Sequence, residues 1–243
     1  MRVMLFAWLC IAGTAKAQLS ASLHDQWLRG KSWDDAVRAY NFSRPWQEDA
    51  LPFLSHGANA QIGWYFAINK GQSLFIHPEA GYSRWQARTR NAGNELRVRM
   101  EAFALDAHVH INPRALFQRV IAGPLGTRWF IRLSPGITLW QAGIEERGAF
   151  RLEDELSGRR YRPRSLTPSV GLGTGYRAWL LAGQWVVTPR IGLRYTPRAV
   201  LTDFSRTLLG TSVFGIPDRV DHVMQVTLGM EFSWVIPKRE KKS

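Results

Sequence analysis

The residues with most chemistry to offer are the six histidines, His24, His56, His77, His108, His110 and His222. His108 and His110 alternate with Val109 and share their parity with Asp106. Imidazole and carboxylate at i, i+2 and i+4 line one side of a β-strand, a spacing that a metal ion could use. Hydrogen bonding inside a polar interior uses the same three residues without a metal, and it is the preferred expectation. A hydrolase would need a nucleophile, a base and an orienting acid within mutual reach. No such set is grouped along the chain. The expectation is no catalytic residue, no metal and no cofactor.

The N-terminus limits the chemistry further. Residues 1–17, "MRVMLFAWLCIAGTAKA", place Arg2 before an apolar run and end on a small-x-small site, Ala15-Lys16-Ala17. This predicts a secretory signal peptide, too short for a membrane span. The single cysteine, Cys10, lies inside it, so the exported chain is expected to hold no thiol and no disulfide. Without Arg2 and Lys16 the formal charge falls from +13 to +11. For a basic exported protein, nucleic acid is not the expected partner; outer-membrane lipid and lipopolysaccharide are. No later stretch is long and apolar enough for a transmembrane helix, so a spanning chain must be a closed β-barrel.

The elements that must position these residues follow from period-two alternation. In 222–236 one face carries Met224, Val226, Leu228, Met230, Phe232, Trp234 and Ile236; the other carries Gln225, Thr227, Gly229, Glu231 and Ser233. The runs 58–68, 72–85, 128–141, 166–180 and 184–197 alternate likewise. The run 95–111 changes phase near Glu101–Phe103, which predicts a bulge. One face of these strands is apolar and the other carries Arg, Glu, His, Thr and Gly, the pattern of a transmembrane barrel. Pro78, Pro135, Pro168 and Pro189 share parity with the apolar face and are expected to point to lipid. Gly81, Gly171 and Gly192, three residues on from three of them, face inward, leaving room for neighbours such as Arg190 and Arg194. A local bulge or a rim water is expected to absorb the lost ladder bonds.

Outward aromatic residues define two girdles. Trp64, Trp129, Trp185 and Trp234 belong to one, Tyr82 and Tyr195 to the other; Trp185 and Tyr195 stand about 25 Å apart along a tilted strand. Short turns at 69–71 and 181–183, against long connections at 142–165 and 198–220, put the short side in the periplasm. The expected fold is all-β: an antiparallel up-and-down transmembrane barrel of about eight strands. Seven strands are clear. The eighth is expected in 18–29 or around 39–47, beside a helix over 32–41 with Ser32 as N-cap and a stripe of Trp33, Val37 and Tyr40. The organisation is thus a signal peptide, an N-terminal segment 18–56, a barrel 57–236 and a basic tail 237–243.

At "LFIHPEAGYSRW" the chain resembles the small outer-membrane β-barrel proteins of Bacteroidota, the PorT-like or OmpX-like group. Pro78, Glu79 and Tyr82 carry the likeness, after the hairpin 58–76, and its layout covers 57–236. The resemblance implies an eight-stranded outer-membrane barrel. It implies no activity, since some members attach to secretion or envelope machinery and most are uncharacterised. "SHGANA" at 55–60 is faintly similar to the His-x-Ser-Asn motif of outer-membrane lipid A deacylases. Ala58 stands where that motif needs its nucleophile.

Inside such a barrel Glu79, Glu101, Asp106 and Glu231 are expected to pair with Arg128, Arg132, Arg190 and Arg194. Eight strands leave an interior just wide enough for side chains, so these pairs predict a plugged barrel without channel activity. Arg159, Arg160, Arg162 and Arg164 form a cationic loop end that could meet lipopolysaccharide phosphates or another envelope protein, or simply be solvated. The leading expectation is a non-catalytic outer-membrane protein with a structural or interaction role in the envelope or a secretion complex. The alternatives are an outer-membrane lipid-processing enzyme and a soluble periplasmic barrel holding a hydrophobic ligand.

Overall fold

The structure, a computed structural model, describes residues 18–43, 45, 48–68, 74–91, 94–113, 128–147, 164–180, 185–199 and 220–235. The predicted signal peptide and the basic tail lie outside them. The elements run β1 (Gln18–Arg29), α1 (Lys31–Ser43), β2 (His56–Ala67), β3 (Leu74–Asn91), β4 (Asn94–Ile111), β5 (Trp129–Arg147), β6 (Arg164–Tyr176), β7 (Ala178–Leu180), β8 (Trp185–Ala199) and β9 (Val220–Val235). All neighbouring strands are antiparallel, and β1 pairs with β9, from Gln18↔Val235 to Arg29↔Met224.

β7 is not a separate wall strand. It continues β6 against β8 in the same register, Gly175↔Arg190 followed by Ala178↔Val187, so the closed barrel has eight strands. From Ser20 the partners run to Gly63, Glu79, Asp106, Gly136 and Ser169. One residue along, Val170 leads through Tyr195 and Met224 to Arg29. The stagger is ten residues around eight strands. With standard strand rise and spacing this gives a tilt of about 41°.

The first strand is the segment 18–29, so the barrel begins at Gln18 and not at residue 57. Ser20, Ser22, His24 and Gln26 point inward and are buried; Leu23 and Trp27 point outward. α1 is the β1–β2 connection, not a separate N-terminal segment. Its first turn opens one residue before the expected start: the Gly30 carbonyl accepts from the amides of Trp33 and Asp34, and Ser32 lies inside the helix. Trp33, Ala36, Val37 and Tyr40 are all buried.

β4 has no bulge. Its pairing with β3 runs unbroken from Leu74↔Ile111 to Asn91↔Asn94. Inward positions stay even throughout, Val98, Met100 and Ala102 as well as Asp106, His108 and His110. What changes near Glu101 is the lumen: its upper end is apolar because α1 fills it. Connection lengths are also less one-sided than expected. β3 and β4 join through only two residues at the upper end, while a long link runs from Ile111 to Trp129 at the lower end, where Gln18 and Val235 lie.

All four prolines face outward, and no bulge absorbs them. The β2–β3 ladder skips from Gly63↔Glu79 to Phe66↔Ile76 around Pro78 and resumes in register. The β4–β5 ladder skips around Pro135 between Asp106↔Gly136 and Val109↔Leu133. Pro189 sits opposite the break between β6 and β7. In these three cases the missing donor interrupts pairing on one side only, while Pro78↔Ala107, Pro135↔Val170 and Pro189↔Met230 remain paired on the other.

Candidate functional site

The exterior is built from outward side chains that have only lipid to meet. Leu23, Leu105, Leu133, Ile137, Leu166, Leu172, Ile191, Leu228 and Phe232 are all exposed. So continuous an apolar surface around a soluble barrel would be an aggregation liability. Trp64 and Trp234 both flank Leu19 at the lower end, and Trp234 stacks on Trp185 at 6.3 Å. Trp129 opens β5 at that same end. Tyr82 and Tyr195 stand at the upper edge of the apolar band, Tyr82 at 4.8 Å from the Phe103 ring. A soluble barrel holding a greasy ligand would carry the opposite pattern, apolar within and polar without.

The lumen is filled in three layers. In the middle, Arg190 reaches between two carboxylates, with Nη1 at 3.1 Å from Glu79 Oε1 and 2.5 Å from Glu231 Oε2. Its Nη2, with two hydrogens to give, stands 2.6 Å from Ser22 Oγ, 2.6 Å from His24 Nε2 and 3.0 Å from Gln61 Oε1. Glu79 also meets His108 Nε2 at 2.5 Å and Arg132 Nη1 at 3.7 Å. Ser233 donates to Glu231 Oε1 at 2.9 Å. Asp106 pairs with Arg194 nearby. Buried charges are tolerated only when paired, and each of these carboxylates meets at least one guanidinium.

Of the eight charges expected in the lumen, six are there. Glu101 is not: it faces outward on β4, accepts from the Tyr82 hydroxyl at 3.0 Å and stands 4.0 Å from Arg99. The uninterrupted phase of β4 places it outside. Arg128 is also absent from the network, lying exposed at the lower rim before β5. Inward glycines do make room, but for other side chains than Arg190 and Arg194. A Cβ on Gly192 would lie 3.0 Å from Arg132 Nη2, and one on Gly81 would lie 3.0 Å from Gln61 Cγ.

The lower layer is aromatic. Tyr65 stacks on His77 at 3.7 Å and His110 on Phe130 at 4.5 Å. The Arg177 guanidinium lies over Phe75 at 4.4 Å, Phe130 at 4.9 Å and Tyr65 at 5.1 Å. Arg177 sits at the break between β6 and β7, and nothing in sequence periodicity marks it. The upper layer is apolar: Trp85 stacks on Trp140 at 5.8 Å, and Trp33 of α1 meets Trp140 edge-on at 5.7 Å. Val98, Met100, Ala142, Ile144, Leu51 and Leu54 complete it. Asn41 holds the returning chain through a two-way bond with Leu51, at 2.8 and 3.0 Å.

This geometry does not make a metal centre of Asp106, His108 and His110. Asp106 belongs to Arg194, His108 to Glu79 and His110 to the aromatic layer. His77, Glu79 and Glu231 do bring ligand atoms within 4.8 Å of one another. The Arg190 cation already bridges the two carboxylates of that set. Ser20 Oγ lies 2.7 Å from His77 Nε2, but that same nitrogen is the one 3.7 Å from Glu79, so no relay through the two ring nitrogens exists. His56 sits at the upper rim, 3.8 Å from Asp25. Arg159, Arg160 and Arg162 lie outside the described residues, and Arg164 is described only as the first residue of β6.

No protein-family model matches the chain, and no curated protein matches it in sequence. Among solved structures, Ail, the attachment invasion locus protein of Yersinia pestis, bound to the heparin analogue sucrose octasulfate, is similar with a TM-score of 0.46, 7% identity, and coverage of 90% of this chain and 97% of that one. A major outer membrane protein from Thermus thermophilus gives 0.45 at 13% identity, covering 90% and 99%. Neisserial surface protein A gives 0.42 at 11% identity, covering 91% and 98%. The fold rests on the register described above. The closed eight-stranded barrel, its apolar exterior and its tryptophan belt make this chain a membrane-spanning β-barrel of the outer-membrane kind.

Proposed function

We propose that the chain is a non-catalytic outer-membrane protein that acts through its rims and exterior, with a structural or interaction role in the cell envelope or a secretion complex. The observation that carries this is the filled lumen. An aromatic layer, an ionic layer and the α1 plug occupy it in turn, and the cavity between His24, Gln61, Arg132, Ser134 and Arg194 has about 20 Å³, room for one water. Filling at all three heights supports a barrel that passes neither substrate nor solute. Outer-membrane lipid and lipopolysaccharide are the partners such a surface meets first, and other envelope proteins can approach the upper connections, including the arginine-rich loop end at 159–164. The likeness around Pro78, Glu79 and Tyr82 supports kinship with PorT-like barrels.

Reconstitution into planar bilayers tests the proposal. The full chain is expected to give no stable conductance steps. A variant in which residues 31–43 are replaced by a Gly-Ser linker is expected to stay silent too, because the ionic layer remains. Steps in the full chain would overturn the plugged barrel, and steps in the variant alone would assign the seal to α1.

A further inference from the structure

The upper rim is uneven. β3, β4 and β5 run 18, 18 and 19 residues, against 12 for β1 and β2. Their inner faces carry Trp85, Val98, Met100, Trp140 and Ile144, buried under α1. The three strands therefore stand as a wall above the apolar band. On the outer face of that wall the chemistry changes within one step. Above Tyr82 and Phe103 the outward positions become Arg84, Gln86, Arg88 and Arg90 on β3, and Glu101, Arg99, Arg97 and Glu95 on β4, five arginines to two acids.

The arginines outnumber the acids: Arg84, Arg90 and Arg97 stand opposite Glu101, Glu95 and Glu145, while Arg88 and Arg99 have no carboxylate as a direct cross-strand partner. Arg88 and Arg97 are direct cross-strand partners, a like-charge pairing that destabilises a sheet unless an anion sits between. Glu95 lies 3.4 Å from Arg97 and 3.9 Å from Arg88 and is also the cross-strand partner of Arg90, while Glu145 of β5 stands opposite Arg97. Glu101 receives the Tyr82 hydroxyl and stands 4.0 Å from Arg99. Arg84 donates to a neutral group, Gln86 Oε1, at 3.2 Å. The two long pairs, Arg88–Glu95 and Arg99–Glu101, are near the surface and worth little.

We infer that this face binds the phosphates of a phosphorylated glycolipid in the surrounding leaflet. It rests on the membrane-barrel assignment, which fixes the height. Arg84 lies two residues above Tyr82, about 5 Å higher at this tilt, where headgroup phosphates begin. Arg88 lies about 10 Å higher again. The cationic stripe is deeper than one plane of phospholipid phosphate and fits a headgroup that carries phosphate on sugars. Guanidinium forks match phosphate oxygens two at a time, which explains arginine at all five positions.

Native mass spectrometry of the full chain in detergent tests this, with diphosphoryl lipid A, its dephosphorylated form and phosphatidylglycerol as probes. The comparison protein carries Arg84→Gln, Arg88→Gln and Arg99→Gln. The unsubstituted chain is expected to retain diphosphoryl lipid A over both other probes, and the variant to lose that affinity by at least about tenfold. Both should keep the faster migration of unboiled protein on gels, which certifies the folded barrel. Equal retention by the two proteins, or equal retention of dephosphorylated lipid A, overturns the site. Phosphatidylglycerol held as tightly as lipid A overturns the glycolipid assignment. Absence of the gel shift in the unsubstituted chain would instead overturn the barrel assignment beneath it.

Discussion

At the height of Glu79 the barrel is filled by charges carried on its own wall, whereas at the height of Trp140 it is filled by α1, a segment that belongs to no strand. Both levels face the same constraint, an interior only as wide as two opposed side chains. The middle layer meets it with Arg190, Glu79, Glu231 and His108, whose positions are locked by strand register. The upper layer meets it with Trp33, Val37 and Leu51, which reach the wall from a connection that can settle. Register-bound filling leaves little room for relaxation, and inserted filling leaves more.

That difference can be broken or sharpened by substitution. Glu79→Ala should cost most, about 3–5 kcal/mol, because it strips the carboxylate shared by Arg190, Arg132 and His108 and leaves buried charge uncompensated. The readout is the urea midpoint at which the unboiled fast-migrating band disappears. Met100→Ala, in the apolar layer, should cost about 2–4 kcal/mol, since α1 can partly close the gap. If Met100→Ala proved the costlier, the contrast between locked and settling layers would fail. Gly136→Ala should cost least, about 1–3 kcal/mol. Its new methyl would meet the Asp106 side chain and stand 2.7 Å from the Leu105 carbonyl oxygen. A neutral result would mean that the Asp106–Arg194 pair can shift, and that the ionic layer is looser than its register implies.

Much of this is legible in the residues, and each part that is not has its own physical reason. Alternation with one apolar face revealed the barrel, and proline parity was visible in the residue order itself. Glu79, Arg190 and Glu231 lie on inward parities that periodicity alone assigns. Periodicity could not show that the lumen changes character with height. The inner face of β4 passes from His108 and Asp106 to Met100 and Val98, and in sequence this looks like a change of phase. The same effect put Glu101 on the wrong side. β1 is only weakly marked because Ser20, Ser22, His24 and Gln26 against Ala21, Leu23, Asp25 and Trp27 alternate little in polarity. Arg177 was invisible because its role depends on three rings from β2, β3 and β5 that converge only in space.

The pairing of β1 with β9 joins residues from opposite ends of the chain, Gln18 with Val235. The ionic layer depends on that seam, since His24 comes from β1, Glu79 from β3, Arg190 from β8 and Glu231 from β9. An open, curled sheet would present these charges to hydrocarbon with part of their network missing, at a cost of several kcal/mol for each uncompensated group. Insertion ahead of closure is therefore uphill for this sequence. The order of biogenesis is written into the lumen: the last strand must find the first before, or as, the barrel enters the bilayer.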